Sequence, residues 1–305
     1  MSGVVASGPS TSATAPRVRF RGANLRQAYD LALTGALGAL FGLYLYVELV
    51  QARSVYVRDA LAGLLIGGSL GVFLNGSGPM RDGAWLKLAR AVTWGAPAAA
   101  LGGALGLVAG EVVIGWLRGG LLGRSLSWAV LGLGIGIGQG LADRSRDRLI
   151  FGLAGGGLGG FVGGFLFEWL RVALGDRLDV SASQAVGIVI LGAGLGLCLA
   201  LVEQALRRAW VQVQSGRQEG RIYLLAHPRC RLGLDERAEI GIFGDASVAR
   251  RHAEITATPS GYVLHHLAPQ QNSTRVNGTL VAGAQPLRDG DRIELGRTLL
   301  VFRQR

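Results

Sequence analysis

Six long apolar runs constrain most strongly what this chain can fold into. An α-helix needs about 20 residues to cross the hydrocarbon core of a bilayer, and each run is close to that length. Short polar loops separate the runs, so neighbouring helices are expected to be antiparallel. The runs cover residues 29–50, 58–75, 91–116, 126–142, 149–174 and 184–206.

Composition changes after the last run, and this change divides the chain. Half of the 305 residues are hydrophobic, but the apolar residues concentrate before residue 207 and a soluble composition follows. The first 16 residues are small and polar, and they cannot bury enough apolar surface to order. We therefore predict four parts: a disordered basic tail (1–28), a transmembrane helical domain (29–206), a linker (207–221) and a β-rich domain (222–305).

Basic residues are more frequent in alternate loops, and this bias predicts the orientation of the spans. The N-terminal tail has four arginines before the first run, the second and fourth loops have three basic residues each, and the other loops have two. Because basic loops stay in the cytoplasm, we predict both termini at the cytoplasmic face of a bacterial inner membrane. The first run shows no clear cleavage site, so we interpret it as a retained helix.

The net charge of +11 has the same explanation. Nearly all of the positive charge is arginine, and Lys87 is the only lysine. Since the arginines lie mainly between apolar runs, membrane topology accounts for them and we predict no nucleic-acid partner. Cys198 and Cys230 lie in different parts of the chain, so we predict no disulfide.

Glycines four residues apart recur in the apolar runs, as at Gly63, Gly67 and Gly71. Residues with this spacing share one face of a helix, and glycine there lets two backbones approach closely in a membrane. This glycine-zipper pattern predicts a compact bundle in the lipid bilayer. The same faces could also join copies of the chain in an oligomer.

Ionisable residues inside membrane spans are functional candidates by default. Glu48, Glu111 and Glu168 qualify, and Glu48 and Glu168 are expected to reach the interface because they lie near the ends of their runs. Glu111 is therefore the intramembrane candidate, and it supports an alternative in which the chain is a transporter or channel with a regulatory tail. A compact anchor is the simpler interpretation, because no run carries paired acids, a histidine chain or an arginine ladder.

The tail of the chain reads as closely spaced β-strands. From residue 221, short apolar stretches are bounded by Gly, Pro, Asn or Asp, with turn signals at 276–278 and 289–291. About 85 residues of strands without a helix are typical of a small β-sandwich. The histidines have no cysteine or carboxylate at metal spacing, and no Ser/His/Asp set is recognisable, so we predict no metal, no cofactor and no enzyme.

Three motifs of the tail resemble the forkhead-associated (FHA) family in order and spacing. They are GDASVARRHAEI (244–255), QNSTRVNG (271–278) and PLRDGDRIELGRTLLVF (286–302), and the resemblance covers about residues 222–304. It implies a β-sandwich whose end loops bind phosphothreonine peptides. Because a phosphate carries roughly two negative charges, such a site needs an arginine, hydroxyl or amide donors, and backbone N–H groups.

Two phosphate ligands of that family are replaced in this chain. Leu234 stands where the family has the arginine of a Gly-Arg motif, and Ala249 stands where it has the serine of Ser-x-x-His. His252 matches the family's histidine, which braces the loop. Each lost charge-assisted bond costs about 1.5–3 kcal/mol, so losing two corresponds to roughly a thousandfold in affinity.

The family's third motif, an Asn-Gly-Thr turn, is kept in part. Asn272 matches the asparagine of Asn-Gly-Thr, Ser273 replaces its glycine, and Asn277 with Gly278 matches the closing Asn-Gly. We predict His252 and Gly278 to be structural. The residues predicted to contact a partner are Arg250, Arg251, Gln271, Asn272 and Asn277.

The predicted function is that of a membrane-anchored, non-enzymatic protein with an FHA-like tail. It would recruit a protein partner to the cytoplasmic face in signalling or scaffolding, with phosphothreonine-dependent and phosphate-independent binding both open. An assembly role in an envelope or secretion complex is a further alternative.

Overall fold

The structure is a computed structural model that describes residues 20–117, 120–174, 180–268 and 273–305. Its first part, up to residue 206, is helical. A π-helical turn (Ala91–Gly95) joins α3 to α4, so these segments run as one helix. The helices are α1 (Phe20–Leu49), α2 (Val55–Asp82), α3 (Trp85–Arg90), α4 (Ala96–Leu117), α5 (Gly120–Asp143), α6 (Arg146–Leu174) and α7 (Val180–Leu206). Among the described residues, 6 helices are long and apolar enough to cross a membrane, which confirms the predicted spans.

The long apolar helices form a closed order of neighbours. Helix α1 packs on α2 and α7, α5 packs between α4 and α6, and contacts of α2 with α4 and of α6 with α7 complete the order. Successive helices are antiparallel, so the start of α1, the α2–α3 turn, the α5–α6 turn and the end of α7 share one face of the bundle. We call this the sandwich face, because the β-domain follows it.

Glycines lie where the helices approach one another most closely. A side chain added at Gly63 of α2 would overlap the backbone carbonyl of Gly103 of α4. One added at Gly132 of α5 would likewise overlap the carbonyl of Gly156 of α6. The two helices of each pair meet backbone to backbone, an approach that a Cβ atom would prevent.

The second part of the structure is a sandwich of two β-sheets. One sheet has six strands in the order β2-β1-β11-β10-β7-β8, and the other has five in the order β4-β3-β5-β6-β9. The strands are β1 (Ala209–Ser215), β2 (Ile222–Leu224), β3 (Arg229–Gly233), β4 (Ile240–Gly241), β5 (Ala253–Thr258), β6 (Gly261–His266), β7 (Thr274–Val276), β8 (Thr279–Leu280), β9 (Ala284–Leu287), β10 (Arg292–Leu295) and β11 (Thr298–Gln304). Fully buried side chains such as Leu232, Ile255, Leu264, Ile293 and Phe302 fill the space between the sheets.

The predicted linker over 207–221 is wrong, because most of it belongs to the sandwich. Strand β1 pairs with β11 and with β2 in the six-stranded sheet. Its alternate residues Ala209, Val211 and Val213 are buried in the core, as the period of a strand requires. Only Arg207 and Arg208 separate α7 from β1, so the sandwich begins at residue 209 and is attached closely to the bundle.

The sandwich lies with one edge on the sandwich face of the bundle. Strands β2 and β4 are edge strands of the two sheets, and the hydroxyl of Tyr223 on β2 donates to the Gly241 carbonyl on β4 at 3.0 Å. Just before β2, Arg221 pairs with Asp82 of α2 at 2.6 Å. Just after β2, the Ala226 carbonyl accepts from Ser145 at 3.2 Å. The bundle therefore covers a pair of edges that could otherwise pair with another chain.

Candidate partner-binding site

The candidate site is built from two loops at one end of the sandwich. Residues 234–239 connect β3 to β4, and residues 242–252 connect β4 to β5. The N–H of Leu234 donates to the Ala249 carbonyl at 3.1 Å, and the N–H of Asp235 donates to the Arg250 carbonyl at 3.2 Å. Two backbone donors that could face a ligand are thus used to hold the loops together.

His252 braces the second loop from inside. Its ring is buried, and Nδ1 accepts the N–H of Ala249 at 3.0 Å. Burial lowers the pKa of His252, with a smaller contribution from nearby His266, while the backbone of Ser273 opposes the shift. The ring is therefore held neutral with its proton on Nε2. This contact is the bracing role that the FHA resemblance implies for the histidine.

Leu234 and Ala249 leave the site without its two expected phosphate ligands. The side chain of Leu234 is partly buried and packs against the hydrophobic core of the sandwich. A position that carries a cation in the resembling family thus serves as an apolar anchor here. Ala249 has no hydroxyl, and His252 already accepts its N–H.

Arginines supply the positive charge of the site. Arg250 and Arg251 are exposed, and with Arg231, Asp235 and Ala238 they line a small depression. Within the part of the chain that the structure describes, no carboxylate forms an ion pair with Arg250 or Arg251. We call the depression with these two arginines the arginine site.

Arg231 is already engaged by Glu239. Its Nη2 lies 3.0 Å from Glu239 Oε1, its Nε lies 3.3 Å from Oε2, and its backbone N–H donates to Oε2 at 2.8 Å. Burial raises the pKa of Glu239, but the hydrogen bonds from Arg231 outweigh it, so the pKa is lowered and the carboxylate stays ionised. The sequence alone does not indicate this pair, because Arg231 lies on β3 and Glu239 lies in the loop before β4, so only the course of that loop brings them together.

The structure does not bring Asn277 to the arginine site, and its predicted contact with a partner stays a prediction. Asn277 and Gly278 form the β7–β8 turn with positive φ angles of 51° and 81°. The side chain of Asn277 donates to Asp291 and accepts the N–H of Arg292, both at 2.9 Å. It lies at the far end of β7 from Ser273, so it braces a turn at the other end of the strand. Gly278 is structural because the turn requires its φ.

The predicted ligand-contacting residues Gln271 and Asn272 lie outside the described residues. The described chain resumes at Ser273, whose backbone lies near His252. Next to it, Thr274 is buried and its hydroxyl lies 2.8 Å from Nδ1 of His266. Histidines 252 and 266 thus lie close to Ser273 and Thr274.

Asp245 organises the same end of the sandwich and was also missed. Its carboxylate accepts from the N–H and hydroxyl of Ser247, from the N–H of Arg297 at 2.7 Å and from the hydroxyl of Thr298 at 3.1 Å. Burial opposes ionisation, yet these bonds lower the pKa of Asp245. An Asp two residues before a Ser is a common turn signal, and it could have identified this brace.

The glutamates of the bundle form a charge network away from the sandwich. Glu111 of α4 lies 3.8 Å from Arg124 of α5, and Arg124 lies 3.9 Å from Glu168 of α6. Glu168 is buried and accepts two hydrogen bonds from Arg171, at 3.0 and 2.6 Å. Its arginine partner lies one turn along the same helix and satisfies the carboxylate in place, and the expected reach of Glu168 to the membrane interface stays a prediction.

Comparison with known proteins relates the sandwich to a family. Residues 212–305 match the Yop-YscD family model, described as the cytoplasmic domain of an inner membrane component of T3SS. No curated protein matches the chain. The C-terminal domain is therefore FHA-like in sequence motifs and in its two-sheet fold, as predicted.

Solved FHA domains are similar to the same third of the chain. The FhaA FHA domain, solved in complex with the intracellular domain of another protein, is 32% identical, with 31% of this chain and 99% of that chain covered and a TM-score of 0.28. A domain from a study of phosphothreonine-dependent FHA interactions is 30% identical, with 32% and 97% covered and a TM-score of 0.29. The cytoplasmic domain of the T3SS sorting platform protein PscD from P. aeruginosa is 19% identical, with 32% and 80% covered and a TM-score of 0.29.

Proposed function

From the match of residues 212–305 to the cytoplasmic domain of an inner membrane component of T3SS, we propose that this chain is an inner-membrane assembly protein. Its FHA-like domain recruits an acidic segment of a protein partner to the cytoplasmic face. The arginine site carries that contact, and phosphothreonine is not required. The membrane helices anchor the domain, with their glycine faces packing the bundle.

The packing of Leu234 against the core carries the phosphate-independent part of the proposal. A phosphate reader needs a fixed cation and several donors that converge on one group. Here the N–H groups of Leu234, Asp235 and Ala249 are all used internally. Arg250 and Arg251 are exposed cations without an ion-pair partner among the described residues, and they suit several carboxylates spread along an acidic segment.

Binding of matched peptide libraries to the full chain in lipid nanodiscs tests this function. The central residue would be threonine, phosphothreonine or glutamate in an otherwise identical acidic sequence. We expect phosphothreonine to improve affinity by less than about tenfold over glutamate, because one charge-assisted bond is worth roughly 1.5–3 kcal/mol and its ligands are missing. Arg250→Ala should weaken binding about five- to tenfold.

Arg288→Ala is the matched control, since it removes the same charge from the exposed β9–β10 turn near Asp291. It should leave affinity nearly unchanged. Binding that requires phosphothreonine, or equal losses in the two variants, would contradict the proposal. The first result would indicate a phosphate reader, and the second would indicate attraction by net charge alone.

The orientation with both termini in the cytoplasm is part of the proposal. The loops richest in basic residues share the sandwich face with α7, whose end leads into β1. Two reporters fused at residue 305, one active only in the cytoplasm and one active only outside it, would test this orientation. Activity of the external reporter would contradict the orientation.

A further inference from the structure

The β3–β4 loop, residues 234–239, has two faces with different neighbours. Asp235 and Ala238 form one wall of the arginine site. On the other side, a carboxylate oxygen of Glu236 accepts the N–H of Leu86 at 2.9 Å. Leu86 lies in the first turn of α3, where backbone N–H groups lack acceptors within the helix, so Glu236 caps the third membrane helix from the sandwich.

Further contacts fix β4 and its loops to the bundle. Lys87 of α3 donates to the Glu239 carbonyl at 3.3 Å. The side chain of Gln218 donates to Asp82 at 3.0 Å and accepts the N–H of Phe243, just after β4, at 3.2 Å. We call this set the β4 clamp; its members are Asp82, Leu86 and Lys87 in the bundle and Gln218, Glu236 and Glu239 in the sandwich.

Glu239 belongs to the clamp and also holds an arginine of the site. Its carbonyl accepts from Lys87, and its carboxylate binds Arg231 through three hydrogen bonds. Arg231 lines the depression beside Arg250, and its side chain is 41% exposed. An acidic occupant of the depression therefore competes with Glu239 for Arg231. Losing this partner would leave the half-buried Glu239 carboxylate uncompensated and would destabilise the docked loop.

We propose that occupancy of the arginine site and docking of the sandwich on α3 oppose each other through Arg231 and Glu239. This inference rests on the function proposed above, and it adds the regulation of that site by the membrane helices. Coupling between two equilibria is reciprocal. A partner that binds the arginines loosens the cap on α3, and any change in the bundle that releases the β4 clamp strengthens partner binding.

Lys87→Met in the full chain in nanodiscs tests the coupling, with a fluorescent glutamate-rich peptide as the probe. The substitution acts on the bundle and leaves the arginine site intact. Electrostatics alone would weaken binding of an acidic probe, since a positive charge is removed. The coupling predicts the opposite sign, a gain of about fivefold, at the low end of typical coupling factors.

Arg90→Met is the matched control, one helical turn along α3 and without a contact to the sandwich among the described hydrogen bonds and ion pairs. It should leave affinity unchanged or slightly weaker. Hydrogen exchange at Leu86 gives a second measure: saturating probe should speed exchange of that amide about threefold or more in the wild-type chain. Glu236→Ala should speed it without any probe.

The outcomes separate this inference from the proposed function. Suppose that the probe binds and its affinity depends on Arg250. If Lys87→Met then weakens binding and the probe leaves the exchange rate of the Leu86 amide unchanged, the coupling is wrong and the proposed function stands. If the probe does not bind to the wild type or to Lys87→Met, the proposed function itself fails and the coupling falls with it.

Discussion

The backbone N–H of Ala249 donates to Nδ1 of His252 at 3.0 Å, so the loop that resembles a phosphate-binding loop is held by its histidine and not opened towards a ligand. The histidine is buried, and the residue it braces has no hydroxyl. The scaffold of the site is thus kept, while Leu234 and Ala249 stand at two positions where the resembling family has phosphate ligands.

Restoring the hydroxyl alone should not restore phosphate binding. We expect Ala249→Ser to improve affinity for a phosphothreonine peptide by at most about tenfold, because one hydrogen bond is added while the arginine position remains Leu234. Titration of full chain in nanodiscs with the paired peptides measures this. Ala246→Ser, at an exposed position in the same loop, is the control. A gain above a hundredfold for Ala249→Ser would mean that Leu234 can be bypassed.

The stability of the sandwich should fall in mild acid because of His252. Burial holds its folded-state pKa below the ordinary value of 6.5. Between the two pKa values the unfolded chain binds the extra proton, so the contribution of His252 is complete above about pH 6.5 and is lost as the pH falls below it. Hydrogen exchange of the β5 amides at pH 7.5 and 5.5, corrected for the intrinsic rate, measures the loss.

His252→Asn keeps an acceptor near Ala249 but removes the titrating group. We expect this variant to be less stable at pH 7.5 and to show a smaller difference between the two pH values. His227→Asn controls for the removal of one histidine. An unchanged pH dependence in His252→Asn would show that another group is responsible.

The close approach of α2 and α4 should make the bundle sensitive to a single methyl group. A Cβ at Gly63 would overlap the Gly103 carbonyl, whereas a Cβ at Gly68 would meet only the Ala100 side chain at an ordinary 3.5 Å. We expect Gly63→Ala to destabilise the bundle by about 1–3 kcal/mol, the usual cost of overpacking, and Gly68→Ala to have little effect. Thermal unfolding in one detergent compares the two. Equal midpoints would contradict a packing role for Gly63.

Glu111 should behave as a structural ion-pair member and not as a transport group. Its carboxylate lies 3.8 Å from Arg124, within a network that also includes buried Glu168. We expect vesicles with wild-type protein and with Glu111→Gln to show the same proton permeability as empty vesicles, reported by an internal pH dye. A protein-dependent flux that Glu111→Gln abolishes would instead support the transporter alternative.

The sequence by itself determined the six long helices and the FHA-like fold class of the C-terminal domain. Apolar runs of membrane length fix six helices, because a backbone in lipid must satisfy its own hydrogen bonds. The motif around His252 predicts the FHA-like sandwich, since its spacing lets the histidine accept the N–H of Ala249 and brace the loop. Strand β1 was missed because its alternating pattern, AWVQVQS, is short and follows directly on Arg207 and Arg208 after the long apolar helix α7.

Only the tertiary structure decided which residues act together. Asn277 looked like a site residue by motif but lies across β7 from the site, because a strand separates its two ends in space. Glu239 and Arg231 meet across a loop, and Glu236 accepts the N–H of Leu86, which lies 150 residues earlier in the chain. Such contacts depend on how the two domains pack, and no local period in the sequence encodes them. The β3–β4 loop lines the arginine site and also caps α3, because the fold places it between these two distant segments.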